Sequence, residues 1–173
     1  MGNIGKVLRC KPSSQRSMTQ AMQDSQAKAS CATGTVAGLA FHHVGCAVRD
    51  IEKAVEFYCG TLGFKRITPP VPVPSQKVSV CFVELGPGNL LELVEGVEAG
   101  SPVGPLIEKT GGGPYHLCFE VPDLDAAIKA LRKKRCFPLT RFEQHVQGLS
   151  RFAFLLTPDR HLFELCETER SPT

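Results

Sequence analysis

The strongest constraint on how this chain can fold is that it states one pattern twice. HVGCAVRDIEKAVEFYCGTLGF (43–64) aligns with HLCFEVPDLDAAIKALRKKRCF (116–137) at a single offset of 73 residues. His43 then falls on His116, Val48 on Val121, Asp50 on Asp123, Ala54 on Ala127 and Phe64 on Phe137. Shortening the offset by one superimposes LLELVE (90–95) on LFELCE (162–167), and Glu92 falls on Glu164. Two small modules sharing one core are the expected outcome.

Each copy reads the same way locally. A short strand runs into Asp50 or Asp123, a good helix N-cap, and the apolar period then becomes helical. Ile51, Ala54, Val55, Tyr58 and Leu62 form one stripe; Leu124, Ala127, Ile128 and Leu131 form the other. Gly63 and the CFP step (136–138) end these helices of about three turns. Strand-like runs follow at 64–68, 78–85 and 90–95, then at about 137–143, 151–157 and 161–166, with GPGN (86–89) and PDR (158–160) as turns. The unit is βαβββ, twice, an α+β domain over 39–168 with modules at about 39–100 and 113–168.

Strand phase separates the adjacent histidines. Side chains alternate faces, so His42 groups with Val44, Cys46 and Val48, and His43 with Gly45 and Ala47. In the second copy Leu117, Phe119 and Val121 oppose His116, Cys118 and Glu120. The uniformly apolar face should pack under the helices, leaving His43 and His116 on the other face. His42, matched by Tyr115, is expected at an edge. Two imidazoles and two carboxylates in repeat-related places form a set of four donors: His43, Glu92, His116 and Glu164. Two nitrogens and two oxygens suit a divalent ion of middling hardness with positions left for water or substrate.

Composition sets the outer bounds. With 173 residues and 42% hydrophobic content the chain can bury one core. The best apolar run, VSVCFVEL, is strand-sized, far below the roughly 20 residues of a membrane span, and no span is expected. The net charge of +3 gathers in residues 1–38, where Lys6, Arg9, Lys11, Arg16 and Lys28 stand against Asp24, so a nucleic-acid partner is not implied. That segment, rich in Ser, Thr, Gln and Ala, is expected to be a flexible basic tail, and residues 169–173 a short C-terminal one. An intracellular, cytoplasmic location is expected, with mitochondrial or other organelle import left open by the basic tail. MGNIGK begins as a myristoylation signal does, but Lys6 stands where Ser or Thr is required. The eight cysteines include no C-x-x-C pair and read as reduced thiols.

HVGCAVRDIEKAVEFYCGTLGF, VSVCFVELG, LELVEG, GSPVGPLIEK, YHLCFEVPDLDAAI and FLLTPDRHLFEL resemble the vicinal oxygen chelate superfamily (glyoxalase, bleomycin resistance, dioxygenase). Within it, the SP step and short helix after the first glutamate are most similar to the methylmalonyl-CoA epimerases. The resemblance implies tandem βαβββ modules forming a cup-shaped, eight-stranded mixed sheet around one divalent ion (Co, Mn, Ni, Zn or Mg). It implies ligands at His43, Glu92, His116 and Glu164, the four that the repeat selects. The chemistry implied is enolisation, the ion stabilising an oxyanion while a carboxylate moves the neighbouring proton. The implied partner is a small molecule with a chelating oxygen next to an acidic carbon, a CoA thioester being one; a homodimer is left open.

One departure matters. The family's further glutamate lies before the VSVCFV strand, where this chain has Ser75 and Gln76, and no acid occurs between Phe64 and Val83. Ser75 and Gln76 are poor bases and become candidate substrate-binding residues instead, with Arg151 at the start of a later strand. Glu164 then serves as both ligand and catalytic base. A glyoxalase-like lyase or isomerase acting on another substrate, and a catalytically weak small-molecule binding protein with the same cup, remain alternatives.

Overall fold

The computed structural model describes residues 34–146 and 149–168. Most of the expected N-terminal tail and all of 169–173 lie outside them. The elements in chain order are β1 (Ala40–Val48), α1 (Ile51–Val55, continuing as a π-helical turn over Glu56–Thr61), β2 (Lys65–Arg66), β3 (Val71–Val73) and β4 (Val78–Glu84). Then come β5 (Leu90–Gly96), α2 (Gly104–Thr110), β6 (Gly113–Glu120), α3 (Leu124–Arg132), β7 (Phe137–Val146), β8 (Leu149–Leu156) and β9 (Leu162–Thr168). Among the described residues no helix is long and apolar enough to cross a membrane.

The two modules form one mixed, open sheet, ordered β2-β4-β5-β1-β6-β9-β8-β7, with β3 also paired to β4. In each module the first strand lies parallel to the last, β1 to β5 and β6 to β9. The modules meet where β1 and β6 pair antiparallel, so the first strands sit at the centre. Both helices begin as the sequence indicates: Asp50 Oδ1 accepts from Lys53 N–H at 3.0 Å, and Asp123 Oδ1 from Ala126 N–H at 2.8 Å. A second carboxylate completes each start. Glu95 at the end of β5 accepts from Ile51 N–H at 3.3 Å, and Glu167 of β9 from Leu124 N–H at 2.6 Å. Helix and last strand are thereby tied together through an N–H that the helix cannot satisfy itself.

Helices α1 and α3 pack on one face. Ile51 and Val55 cover Cys46, Cys81, Val83, Leu91 and Leu93, while Leu124, Ala127 and Ile128 cover Ala153, Leu155 and Leu165. The opposite face carries Ala47, Val78, Val80 and Val94 in the first module and Cys118, Phe152 and Cys166 in the second. Residues from β4 and β8 line one common pocket on that face, so the sheet curls around it.

Four details depart from the sequence reading. First, the expected strand 64–68 is shortened to β2, and a further short strand, β3, follows beyond Pro69 and Pro70, which have no N–H for the ladder; the Thr68 hydroxyl accepts from Phe82 N–H at 3.0 Å across the gap. Second, the one-residue change of offset occurs inside the first helix. Gly63 and Arg135 end the two helices in the left-handed conformation (φ 74° and 67°), and they lie 72 apart. The π-helical turn absorbs the extra residue. Phe64 therefore corresponds to Cys136, both packed under their helices, and not to Phe137, which is 65% exposed.

Third, His42 is not at an edge. The β1–β6 register slips at His42 and again near Tyr115, its repeat mate, one extra residue being accommodated each time. Such a bulge re-aims a side chain, so the alternation used to place His42 opposite His43 does not hold there. Fourth, Arg151 does not face the cup. Phe152 and Phe154 line the pocket, and Arg151 instead reaches Asp125 at 2.8 Å and Glu167 at 3.4 Å on the helix side.

Candidate metal centre

Four central strands each deliver one donor. His43 comes from β1, His116 from β6, Glu92 from β5 and Glu164 from β9. Their approach depends on the residue two after each histidine. Gly45 pairs with both Glu92 and His116, and Cys118, its repeat mate, pairs with both Glu164 and His43. A Cβ at Gly45 would lie within the His116 ring, so this position must be glycine for that imidazole to lie down across β1.

The donor atoms converge. His43 Nε2 and His116 Nε2 are 3.2 Å apart, and His43 Nε2 is 3.4 Å from Oε2 of both Glu92 and Glu164. His116 Nε2 is 3.2 Å from Glu164 and 3.7 Å from Glu92. Ligands about 2.1 Å from a common ion stand about 3.0 Å apart at right angles and about 3.4 Å at tetrahedral angles, so this spacing fits one divalent ion. His43 is fully buried, and His116 and Glu164 nearly so.

The electrostatics agree. Burial disfavours the His43 cation, but the carboxylates of Glu164 and Glu92 outweigh it and raise the ring to about 10. Burial likewise disfavours ionised Glu164, yet contacts with His116 and His43 hold its carboxyl below the usual range. Without an ion the cluster stores a proton on His43; with one, the ion replaces that charge. His42 shifts downward, through burial and the neighbouring His43.

Aromatic edges fix the rings. Phe82 meets His43 edge-on with centroids 5.1 Å apart, and Phe154, its mate at an offset of 72, meets His116 at 5.4 Å. Each phenylalanine pairs across the sheet with a ligand glutamate, Phe82 with Glu92 and Phe154 with Glu164. Phe82 and Phe154, like Glu95 and Glu167, obey the offset of 72, so the internal alignment signals them as it does the donors.

Above the donors lies an inner pocket of about 20 Å³, the space of one or two waters, walled by Val73, Val78, Val80, Val94, Phe152 and Phe154. Gln76, Tyr115 and Phe154 also border a wider cleft of about 330 Å³, which includes Ser75, Lys77 and Leu139. Ser75 and Gln76 thus both reach the cleft, and Gln76 alone of the two reaches the inner pocket. Tyr115 is placed there by its bulge, and burial, then the negative Glu92 and Glu164, push its phenol well above its ordinary value.

Comparison with known proteins agrees with this geometry. The profile of the glyoxalase/bleomycin resistance protein/dioxygenase superfamily matches residues 42–154. The chain belongs to this superfamily. The chain is 40% identical over 105 residues to human mitochondrial methylmalonyl-CoA epimerase, covering 60% of this chain and 58% of that one. It is 38% identical to an ethylmalonyl-CoA/methylmalonyl-CoA epimerase of Cereibacter sphaeroides, over 53% of this chain and 68% of the relative. The chain spans little more than half the length of the mammalian relatives it matches. Methylmalonyl-CoA epimerase from Mycobacterium tuberculosis superimposes with a TM-score of 0.70 at 26% identity, over 83% of this chain and 96% of that one. A methylmalonyl-CoA epimerase in complex with methylmalonyl-CoA and ammonium superimposes with a TM-score of 0.66 at 30% identity, over 76% and 97%.

Proposed function

We propose that this vicinal oxygen chelate protein is a divalent-metal-dependent enzyme that enolises a small acyl substrate, most like a methylmalonyl-CoA epimerase. The reading is carried by the convergence of His43, Glu92, His116 and Glu164 beneath a substrate-sized cleft, all from one chain. The bound ion supplies a Lewis acid that stabilises negative charge on the substrate carbonyl oxygen.

The protein's own residues do the rest. Glu164 borders the inner pocket, which places its carboxylate where it can take the α-proton of an acyl group held there. The valine and phenylalanine walls exclude water and strengthen every charge interaction inside. Gln76 orients the acyl group at the neck, and the Tyr115 phenol, which stays protonated, is a hydrogen-bond donor in the same pocket. Ser75 lies further out, toward the remainder of a CoA thioester. The human relative is mitochondrial by name, which supports the organelle reading of the basic N-terminal segment.

A second reading rests on one observation. Among the described residues lining the inner pocket, the carboxylates are Glu92 and Glu164, both ligands, with none at Ser75 or Gln76. One-sided proton transfer, as in a glyoxalase-like lyase or isomerase, needs no more than that. Proton NMR of methylmalonyl-CoA in deuterated water decides between them. Metal-dependent loss of the α-proton signal with interconversion of epimers supports the epimerase; exchange without interconversion supports the one-sided enzyme; no exchange by metal-loaded protein rejects methylmalonyl-CoA as substrate.

A further inference from the structure

Both ligand imidazoles turn Nε2 to the centre, but they differ in what stands behind Nδ1, and the difference singles out a residue that the repeat does not duplicate. The bulge in β1 brings the His42 ring beside His43, Nδ1 to Nδ1 at 2.7 Å. His43 meanwhile turns its Nε2 toward Glu92, His116 and Glu164. A neutral imidazole that gives its Nε2 lone pair to a cation carries its proton on Nδ1. In that state His43 is the donor of the short hydrogen bond and His42 the acceptor.

Resting on the metal-centre reading, we propose that His42 is a positioning residue: by accepting the Nδ1 proton of His43 it fixes the tautomer and rotation of that ligand. His43 is fully buried, so solvent does not substitute for His42. Phe82 meets both rings edge-on, with centroids 6.2 Å from His42 and 5.1 Å from His43, and wedges the pair in place. The second module has Tyr115 in the matching bulge, and Nδ1 of His116 has no hydrogen-bond partner among the described residues. His42, His43 and Cys118 also bring ligand atoms within 4.8 Å of one another, so a second ion is the competing arrangement there.

The test is titration of the full chain with Co²⁺ against a competing chelator, for wild type, His42→Phe and His42→Asn. Phenylalanine keeps the ring bulk and removes the acceptor; asparagine places an amide oxygen near the position of Nδ1. The expected result is one equivalent of Co²⁺ bound about 10- to 100-fold more weakly by His42→Phe, with His42→Asn returned close to wild type. The metal-free His42→Phe protein should melt lower than wild type, because the buried His43 N–H loses its acceptor, and a lower midpoint with unchanged Co²⁺ affinity would mark a merely structural role and overturn the proposal. Unchanged affinity in His42→Phe, while wild-type binding still depends on Glu164, would overturn the proposal and leave the metal centre standing. Absence of binding by wild type would remove both. Two equivalents, the second lost in His42→Phe and in Cys118→Ser alike, would make His42 a ligand and also overturn it.

Discussion

His43 and His116 stand in equivalent places on the two central strands, yet their surroundings differ. His43 lies over Cys118 with His42 behind it; His116 lies over Gly45 with Tyr115 behind it. Each has a phenylalanine edge at nearly the same distance. The donors and their wedges obey the repeat, while the groups on the far side of each ring do not. Duplication explains why four donors meet; divergence of the bulge residues lets one module fasten its ligand and the other open a phenol to the cleft.

The largest expected contrast is between the two glutamates. Glu164→Gln should slow α-proton exchange by about 10²- to 10⁴-fold, the usual worth of a positioned base. Glu92→Gln, which removes a ligand without removing the base, should chiefly weaken metal binding. Exchange rates at saturating metal separate the two effects, and equal losses would break the assignment of the base to Glu164. Next comes the floor of the site. Gly45→Ala drives a methyl into the His116 ring and should cost about 1–3 kcal/mol, with loss of metal affinity. Cys118→Ala, which makes its position smaller, should leave affinity near wild type. Chelator competition and thermal melts would test the pair.

The charge balance sharpens the comparison further. His43 is raised from 6.5 to about 10 in the metal-free fold. Its contribution to metal-free stability is fully present below pH 6.5 and is lost as pH rises through 10. An ion must displace that proton, so metal affinity should rise about tenfold per pH unit across this window. A flat dependence in metal titrations at pH 7, 8 and 9 would contradict the protonated His43. The smallest effects belong to the helix starts. Glu167→Ala and Glu95→Ala should each cost about 1 kcal/mol in denaturant melts. Glu167, with the shorter contact and Arg151 attached, should cost the more.

Much of this molecule is legible in its sequence because the repeat supplies an internal alignment. The βαβββ order, both Asp caps and the four donors follow from matching one half to the other. What stays hidden is hydrogen-bond register, a property of two strands together that alternation along one strand cannot report. The bulges at His42 and Tyr115 belong to that class; the break at Pro69 and Pro70 does not, since two residues without an N–H stand in the sequence itself. The face that Arg151 takes is opposite to that of Phe152 and Phe154, and only the folded sheet assigns theirs. Gly45 was visible as a small residue near a ligand, but its reason, a ring arriving from another strand, was not.

The π-helical turn at Glu56–Thr61 has a consequence for how such a chain tolerates change in length. One module is a residue longer than the other between its histidine and its glutamate, yet the ligand geometry shows no trace of it. The surplus is taken up as a local swelling of a surface helix, and the following strands resume in step. The helix thus acts as an expansion joint, and the residue count of each half can vary without disturbing the distances on which the centre depends.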